Sequence, residues 1–242
     1  MEQSEYKEME NVEKNHFWFV AKRKFLQMIL DKYVIQKNIR VLDVGCGTGA
    51  VLDLLKDRGF MVEGVDNNEE ALKYCRNKNL NVTLGSAEKM SYPDETFDLV
   101  VALDVLEHLP EPGLATQEIY RVLKKGGVFI ATVPAHQWLW SYHDVALHHY
   151  KRYSKKDFQL LLASQFNVLL VTWVHLCILL PTILIRKIYK IFNKKTEGSD
   201  VGEISFFVNV AGRIFYWPEL LAFEIFGKLP AGLSLLSIVE KK

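Results

Sequence analysis

The chain has 242 residues, 49% of them hydrophobic and 24% charged, and its formal net charge is +1. That length is enough for one large α/β domain with a full core. Near-neutral charge argues against a general nucleic-acid binder, which carries a basic excess. The three scattered cysteines, with no C-x-x-C or zinc spacing, point to a reducing compartment and predict no metal site.

The N-terminus, Met1-Glu-Gln-Ser-Glu-Tyr-Lys-Glu, is polar and lacks an apolar signal region, so a cytoplasmic protein is expected. A helical cap is predicted from Glu5 to Tyr33, containing His16-Phe-Trp-Phe19 and Lys22-Arg-Lys24. Strands and helices follow: strand 39–44, helix 49–58, strand 61–65, helix 68–77, strand 80–84, strand 97–103, helix 113–123 and strand 127–133. Alternation of this kind builds a parallel sheet with helices on both faces. Asn67-Asn68 and Glu69-Glu70 suit a helix start, where side-chain oxygens and acids meet the positive end of the dipole.

The most informative stretch is Val41-Leu-Asp-Val-Gly-Cys-Gly-Thr-Gly49, followed by Val62-Glu-Gly-Val-Asp66. The first strand runs into a turn made by Gly45, Gly47 and Gly49, whose missing Cβ atoms let a ligand approach the backbone. Asp66, ending the next strand, faces the same crevice, where a carboxylate accepts both hydroxyls of a ribose. This is a nucleoside half-site. Gly45, Gly47 and Ala50 also satisfy the dinucleotide pattern G-x-G-x-x-(G/A), so the turn alone leaves a nicotinamide cofactor open.

Three later motifs bear on the choice. Gly85-Ser-Ala-Glu88 ends a strand with small residues, and Phe97-Asp-Leu-Val-Val-Ala-Leu-Asp-Val-Leu-Glu-His-Leu109 is a buried strand entering a polar turn. Lys124-Lys-Gly-Gly-Val-Phe-Ile-Ala-Thr-Val-Pro134 reads as a helix end, a glycine turn and a buried strand. In this order, from about Ile39 to Pro134, the chain resembles the class I S-adenosylmethionine-dependent methyltransferases of the methyltransferase-11 type.

The resemblance implies a Rossmann-like, seven-stranded, mostly parallel sheet with an antiparallel last strand. An N-terminal helical cap and a helical insertion before that strand complete it. One domain over 1–242 is expected: a cap at 1–37, a cofactor core at 38–134, and an acceptor-side insert, helices and last strands at 135–242. S-adenosylmethionine is the implied cofactor. Asp43 is then placed at the methionyl ammonium, and Gly45, Cys46, Gly47 and Gly49 along the methionyl and ribose part. Asp66 takes the ribose and Asn67 the adenine face. Ser86, Ala87 and Glu88 lie near the adenine amino group, Leu103 beside the methionyl chain, and His108 beside the cofactor or capping a turn. The chain has Ser86 where many relatives have an acid. His16-Phe-Trp-Phe19 with Lys22-Arg23 resembles a motif of methyltransferases from glycan and lipid-linked sugar pathways, which implies that the N-terminal helix folds over the cofactor.

After Pro134 the chain turns aromatic and histidine-rich up to Tyr153. An insert at the end of the fifth strand sits where such a fold binds its acceptor. His136, His143, Asp144 and His149 are therefore the candidate base or acceptor-binding residues, with Trp138, Trp140 and Tyr150 as walls. A metal site from His143, Asp144, His148 and His149 matches no standard ligand spacing. Lys151 and Arg152 suit an anionic acceptor.

Ser154 caps a helix, and Asn167–Trp173 reads as a strand. Leu179–Phe192 reads as an apolar helix with a basic end, 193–203 as a polar linker, Ser205–Phe226 as an aromatic helix, and the segment from Pro230 as a turn and last strand. The apolar run Phe166–Ile185 meets the length of about 18 residues for a membrane span, but a strand followed by a helix explains it as well. The later helices allow a peripheral contact with the inner membrane face or a homodimer.

The expected function is methyl transfer to a small-molecule, glycan or lipid-linked acceptor. A non-catalytic cofactor-binding partner subunit and a nicotinamide-dependent oxidoreductase are the alternatives.

Overall fold

The computed structural model describes residues 3–34, 36–191 and 204–242. Its strands are β1 (Arg40–Val44), β2 (Met61–Asp66), β3 (Val82–Leu84), β4 (Phe97–Leu103), β5 (Leu123–Pro134), β6 (Phe166–Val174) and β7 (Ser234–Lys241). They form one sheet in the order β3-β2-β1-β4-β5-β7-β6. Pairs among β1 to β5 are parallel, and β7 lies antiparallel between β5 and β6. The chain winds outward from β1 to β3, then crosses back to β4 on the other side. That reversal opens a crevice beyond the carboxyl ends of β1 and β4, the place where doubly wound sheets bind ligands.

The helices are α1 (Gln3–Val12), α2 (Phe17–Tyr33), α3 (Ala50–Asp57), α4 (Glu69–Asn77), α5 (Pro112–Val122), α6 (Tyr142–Ala146), α7 (Lys155–Ala163), α8 (Leu179–Ile191) and α9 (Phe206–Phe226). Both faces of the sheet are covered, which is why its strands read as continuous apolar runs. On one face Leu42, Val100, Ala102, Phe129 and Ala131 pack against Ile119 of α5 and Phe158 of α7. On the other, Val41, Leu99, Val101 and Ile130 meet Phe25 of α2, Leu55 of α3 and Phe223 of α9. Local signals set the helix starts. Asn68 Oδ1 accepts the Glu70 and Ala71 N–H groups at α4, Pro112 opens α5, and Ser154 Oγ accepts the Asp157 N–H at α7.

Two details differ from the expectation. The cap is two helices, broken at Glu13–His16, because His16 Nδ1 caps α2 by accepting the Trp18 N–H at 3.2 Å. β5 starts at Leu123, before the glycines; Leu123 pairs with Phe97, and Gly126 (φ +71°) absorbs the register shift before Val128 meets Leu99. The apolar run Phe166–Ile185 is β6 followed by the start of α8. Among the described residues no helix is long and apolar enough to cross a membrane. The predicted linker 193–203 lies outside the described residues.

α9 is anchored by a buried carboxylate. Glu219 accepts the N–H groups of Leu176 and Cys177, both at 2.9 Å, which ties the helix to the link between β6 and α8. Its buried side (Tyr216, Glu219 and Phe223) faces the core. Its other side is also apolar and stands in solvent.

Candidate functional site

The turn after β1 is stapled to the end of β2. The Gly45 N–H donates to the Val65 carbonyl at 2.7 Å, and the Gly47 N–H donates to Asp66 Oδ2 at 2.9 Å. Asp66 Oδ1 accepts the Asn68 N–H at 2.9 Å, so one carboxylate holds both the glycine turn and the start of α4. Two glycines are required by geometry. A Cβ on Gly45 (φ +70°) would lie 2.5 Å from Val105 Cγ2, whereas one on Gly47 (φ +52°) would meet only Met9 at 3.9 Å and would project into open space.

That space is a cavity of about 690 Å³, within the range of small-molecule sites. At one end it is lined by Gly45, Gly47, Asp66, Asn67, Ser86, Ala87 and Leu103. Asp43 lies behind the turn, 3% exposed, and its Oδ2 has no partner. Burial, then the charge of Asp66, pushes the Asp43 carboxyl well above the usual carboxylate range. A buried acceptor without a donor is costly; a ligand ammonium or hydroxyl, direct or through water, would satisfy it. An orphaned carboxylate, a bare backbone face and a carboxylate at the next strand tip together fit an adenosyl amino acid.

The N-terminal helices roof the cavity. Tyr6, Met9, His16, Trp18, Phe19 and Lys22 line it. The roof is fastened at both sides. Glu13 Oε2 accepts the Thr48 hydroxyl at 2.7 Å beside the glycine turn, and Lys22 forms an ion pair with Asp104 at the tip of β4. Asp104 (φ +58°) also accepts the Thr132 hydroxyl at 2.8 Å. Burial opposes its charge, yet Lys22 and Thr132 override this and hold its pKa at about 2.

The far end of the cavity belongs to the segment after β5. Asp144, fully buried, accepts from His149 Nδ1 at 2.9 Å, Arg152 Nε at 2.7 Å and the Ser141 N–H at 2.9 Å. Burial alone would raise its pKa; His149 and Arg152 hold it well below the carboxylate range. Glu107, 1% exposed, lines the cavity with both carboxylate oxygens unpartnered. Burial first, then Asp104, pushes its carboxyl well above the usual range. His108, whose ring centroid is 4.6 Å from that of His149, has its pKa lowered to about 4 by burial and by that neighbour.

Of the residues singled out from the sequence, Gly45, Gly47, Asp66, Asn67, Ser86, Ala87, Leu103, His108, His143 and His149 line this one cavity. Asp43, Cys46, Gly49 and Glu88 do not. Cys46 packs in a small core with Cys75, Gly49 caps α3, and the Glu88 N–H is turned back onto Ser86 Oγ at 3.1 Å. His136 is also outside. Its Nε2 contacts the Gly232 carbonyl at 3.0 Å and its ring stacks on Trp173 at 4.8 Å, so it closes the sheet end instead of facing an acceptor. Asp144 is spent on His149 and Arg152 and is no free base. Arg152 is thereby occupied, and Lys151 lies over the Tyr153 ring at 4.6 Å. Of the expected walls Tyr150 lines the cavity, whereas Trp138 is 64% exposed on the surface. Asp104 and Glu107 were not singled out. The signal for them was present: two acids directly after a buried strand, in Leu103-Asp-Val-Leu-Glu-His108.

Residues 42–131 match a family described as a methyltransferase domain. Among curated relatives, a sterol 24-C-methyltransferase from Aspergillus fumigatus is 36% identical over 114 residues, which is 43% of this chain and 29% of that protein. A ubiquinone biosynthesis O-methyltransferase from Thiobacillus denitrificans is 38% identical over 103 residues, 39% of this chain and 44% of that protein. The chain thus spans less than half the length of these relatives. A methyltransferase solved in complex with the Haloferax volcanii Trm112 methyltransferase activator superposes with a TM-score of 0.64 at 18% identity, covering 98% of this chain and 94% of that one. The sheet order and these matches give the chain a methyltransferase-like fold in which residues 42–131 match the methyltransferase domain family.

Proposed function

We propose that this chain transfers a methyl group from S-adenosylmethionine to a small-molecule acceptor with an apolar body, drawn from a lipid surface. The carrying observation is that one cavity is lined both by Gly47 and Asp66 and by Glu107 and His149. Residues 38–134 serve mainly the cofactor, and 135–242, with Glu107 and His108 of the turn after β4, serve the acceptor.

When bound, the cofactor supplies a sulfonium-activated methyl group, so alignment and exclusion of water carry much of the rate. Asp66 would hold the ribose hydroxyls, Gly45 and Gly47 would offer bare backbone, and Asp43, behind the turn, would reach the amino end through water. Trp18, Phe19 and the Lys22–Asp104 pair close the roof against water. At the other end Asp144 fixes His149 through Nδ1, leaving its second ring nitrogen to take the proton of an acceptor hydroxyl.

The lipid surface follows from α8 and α9. Pro181, Thr182, Ile185 and Arg186 of α8 line the cavity, while Leu180 (69% exposed), Leu184 and Ile188 on the same helix face solvent. α9 presents Phe207, Val210, Ile214, Trp217, Leu221 and Ile225 at helical spacing, all exposed, opposite its buried stripe. A helix apolar all round is not built to end in water. Lys187 and Lys228 add exposed positive charge beside these faces, the combination that lies on anionic bilayers. Relatives named for sterol and ubiquinone acceptors support an apolar substrate.

The test is release of S-adenosylhomocysteine with a panel of sterol, quinol, glycolipid and soluble phenolic acceptors. Turnover with an apolar acceptor is expected. Binding of S-adenosylhomocysteine with no turnover on any of them would favour a non-catalytic subunit.

A further inference from the structure

Glu107 is a carboxylic acid that the fold keeps dry, unpaired and facing a cavity, which needs a reason. Among the described residues, Glu107, His108 and His149 bring one donor atom each to within 4.8 Å of one another. Two imidazoles and a carboxylate with open positions remaining are the donor set of catalytic zinc and non-haem iron sites. The outer contacts are also those of such a site. His149 gives its Nδ1–H to Asp144. That leaves the His149 imidazole with one lone pair of fixed tautomer. Asp144 is in turn held by Arg152 and the Ser141 N–H, so the chain of support is complete. The segment bearing His149 is tied to the turn bearing Glu107, because the Tyr150 N–H donates to the Glu107 carbonyl at 2.7 Å.

We infer that Glu107, His108 and His149 form a binding site for one divalent first-row transition cation at the acceptor end of the cavity. The cation would occupy the lone pair that His149 otherwise offers to a proton. An acceptor hydroxyl bound to it would ionise, losing its proton to water or buffer base, and the resulting oxyanion would attack the methyl carbon as the carbon–sulfur bond breaks. The inference rests on the proposed function for its location in the acceptor site, and it narrows the acceptor to compounds whose hydroxyl ligates a metal.

The test uses the full-length chain without a polyhistidine tag, dialysed against chelator and titrated with Co²⁺ while visible d–d absorption is recorded. One Co²⁺ per chain is expected. Glu107→Gln should weaken Co²⁺ binding at least tenfold and His149→Ala should abolish the bands. Asp144→Asn should weaken binding by about 10- to 100-fold, the usual effect of losing an outer-shell partner. Glu107→Gln is the decisive variant, since it keeps the size of the side chain while removing the anionic ligand. A thermal melt and binding of S-adenosylhomocysteine check that it folds. Co²⁺ bound no more tightly by the wild type than by Glu107→Gln overturns the site. Intact S-adenosylhomocysteine binding alongside that result leaves the methyltransferase reading standing, whereas its loss in the wild type would sink the latter instead.

Discussion

Asp66→Asn is the sharpest probe of the cofactor end. Its two oxygens each accept a backbone N–H at 2.9 Å, one from Gly47 and one from Asn68. An amide in that place keeps one acceptor and turns the other oxygen into a donor that opposes an N–H. A hydrogen bond to a charged acceptor is worth roughly 1.5–3 kcal/mol, so the turn loses about 2 kcal/mol of fixation on one side. On the proposed reading the same oxygens accept the ribose hydroxyls, and a neutral amide also weakens the bond it keeps. The summed loss in cofactor affinity is about 2–4 kcal/mol, or roughly 30- to 1,000-fold. Isothermal titration with S-adenosylhomocysteine measures it, with urea unfolding run in parallel to separate loop damage from global instability. A folded Asp66→Asn protein that binds within threefold of the wild type would refute the assignment.

Two further outcomes follow. His175 is 2% exposed, its Nδ1 contacts the Tyr216 hydroxyl at 2.9 Å, and burial, then Lys22, lowers its pKa to about 3, with Asp104 opposing. The fold holds it neutral, so its contribution is complete above about pH 6.5 and is lost as pH falls toward 3; the urea midpoint should drop across this window and His175→Gln should flatten the drop, an unchanged slope counting against the idea. The full chain should sediment with anionic phospholipid vesicles at low salt, and Ile214→Glu with Trp217→Glu (68% and 64% exposed) should leave it in the supernatant. A wild type that stays in solution as a dimer, broken to monomers by the same changes, would instead assign this face to a second copy.

The cofactor half was legible because its signals are local. Three glycines and an aspartate within Gly45–Asp66 specify a turn, a strand tip and the hydrogen bonds joining them. The acceptor half was legible only as a region. Its residues find their roles through distant partners: Lys22 meets Asp104 across 82 positions, and His136 turns to the Gly232 carbonyl 96 positions away. His136 sits at φ +65°, a conformation that periodicity does not encode. The sequence listed His149 and Asp144 side by side as candidate bases. Only the fold separates them, giving Asp144 to Arg152 and leaving His149 open to the cavity. Glu107 and Asp104 read as ordinary polar turn residues until burial of the turn is known.

Glu13 and Lys22 fasten the N-terminal helices on opposite banks of the crevice. The first clasp is a hydrogen bond from a neutral hydroxyl, whereas the second joins two opposite charges through a hydrogen bond. On the proposed function, salt that screens the Lys22–Asp104 pair would loosen one bank of the roof and leave the other fastened, so exchange of donor and by-product would respond to ionic strength.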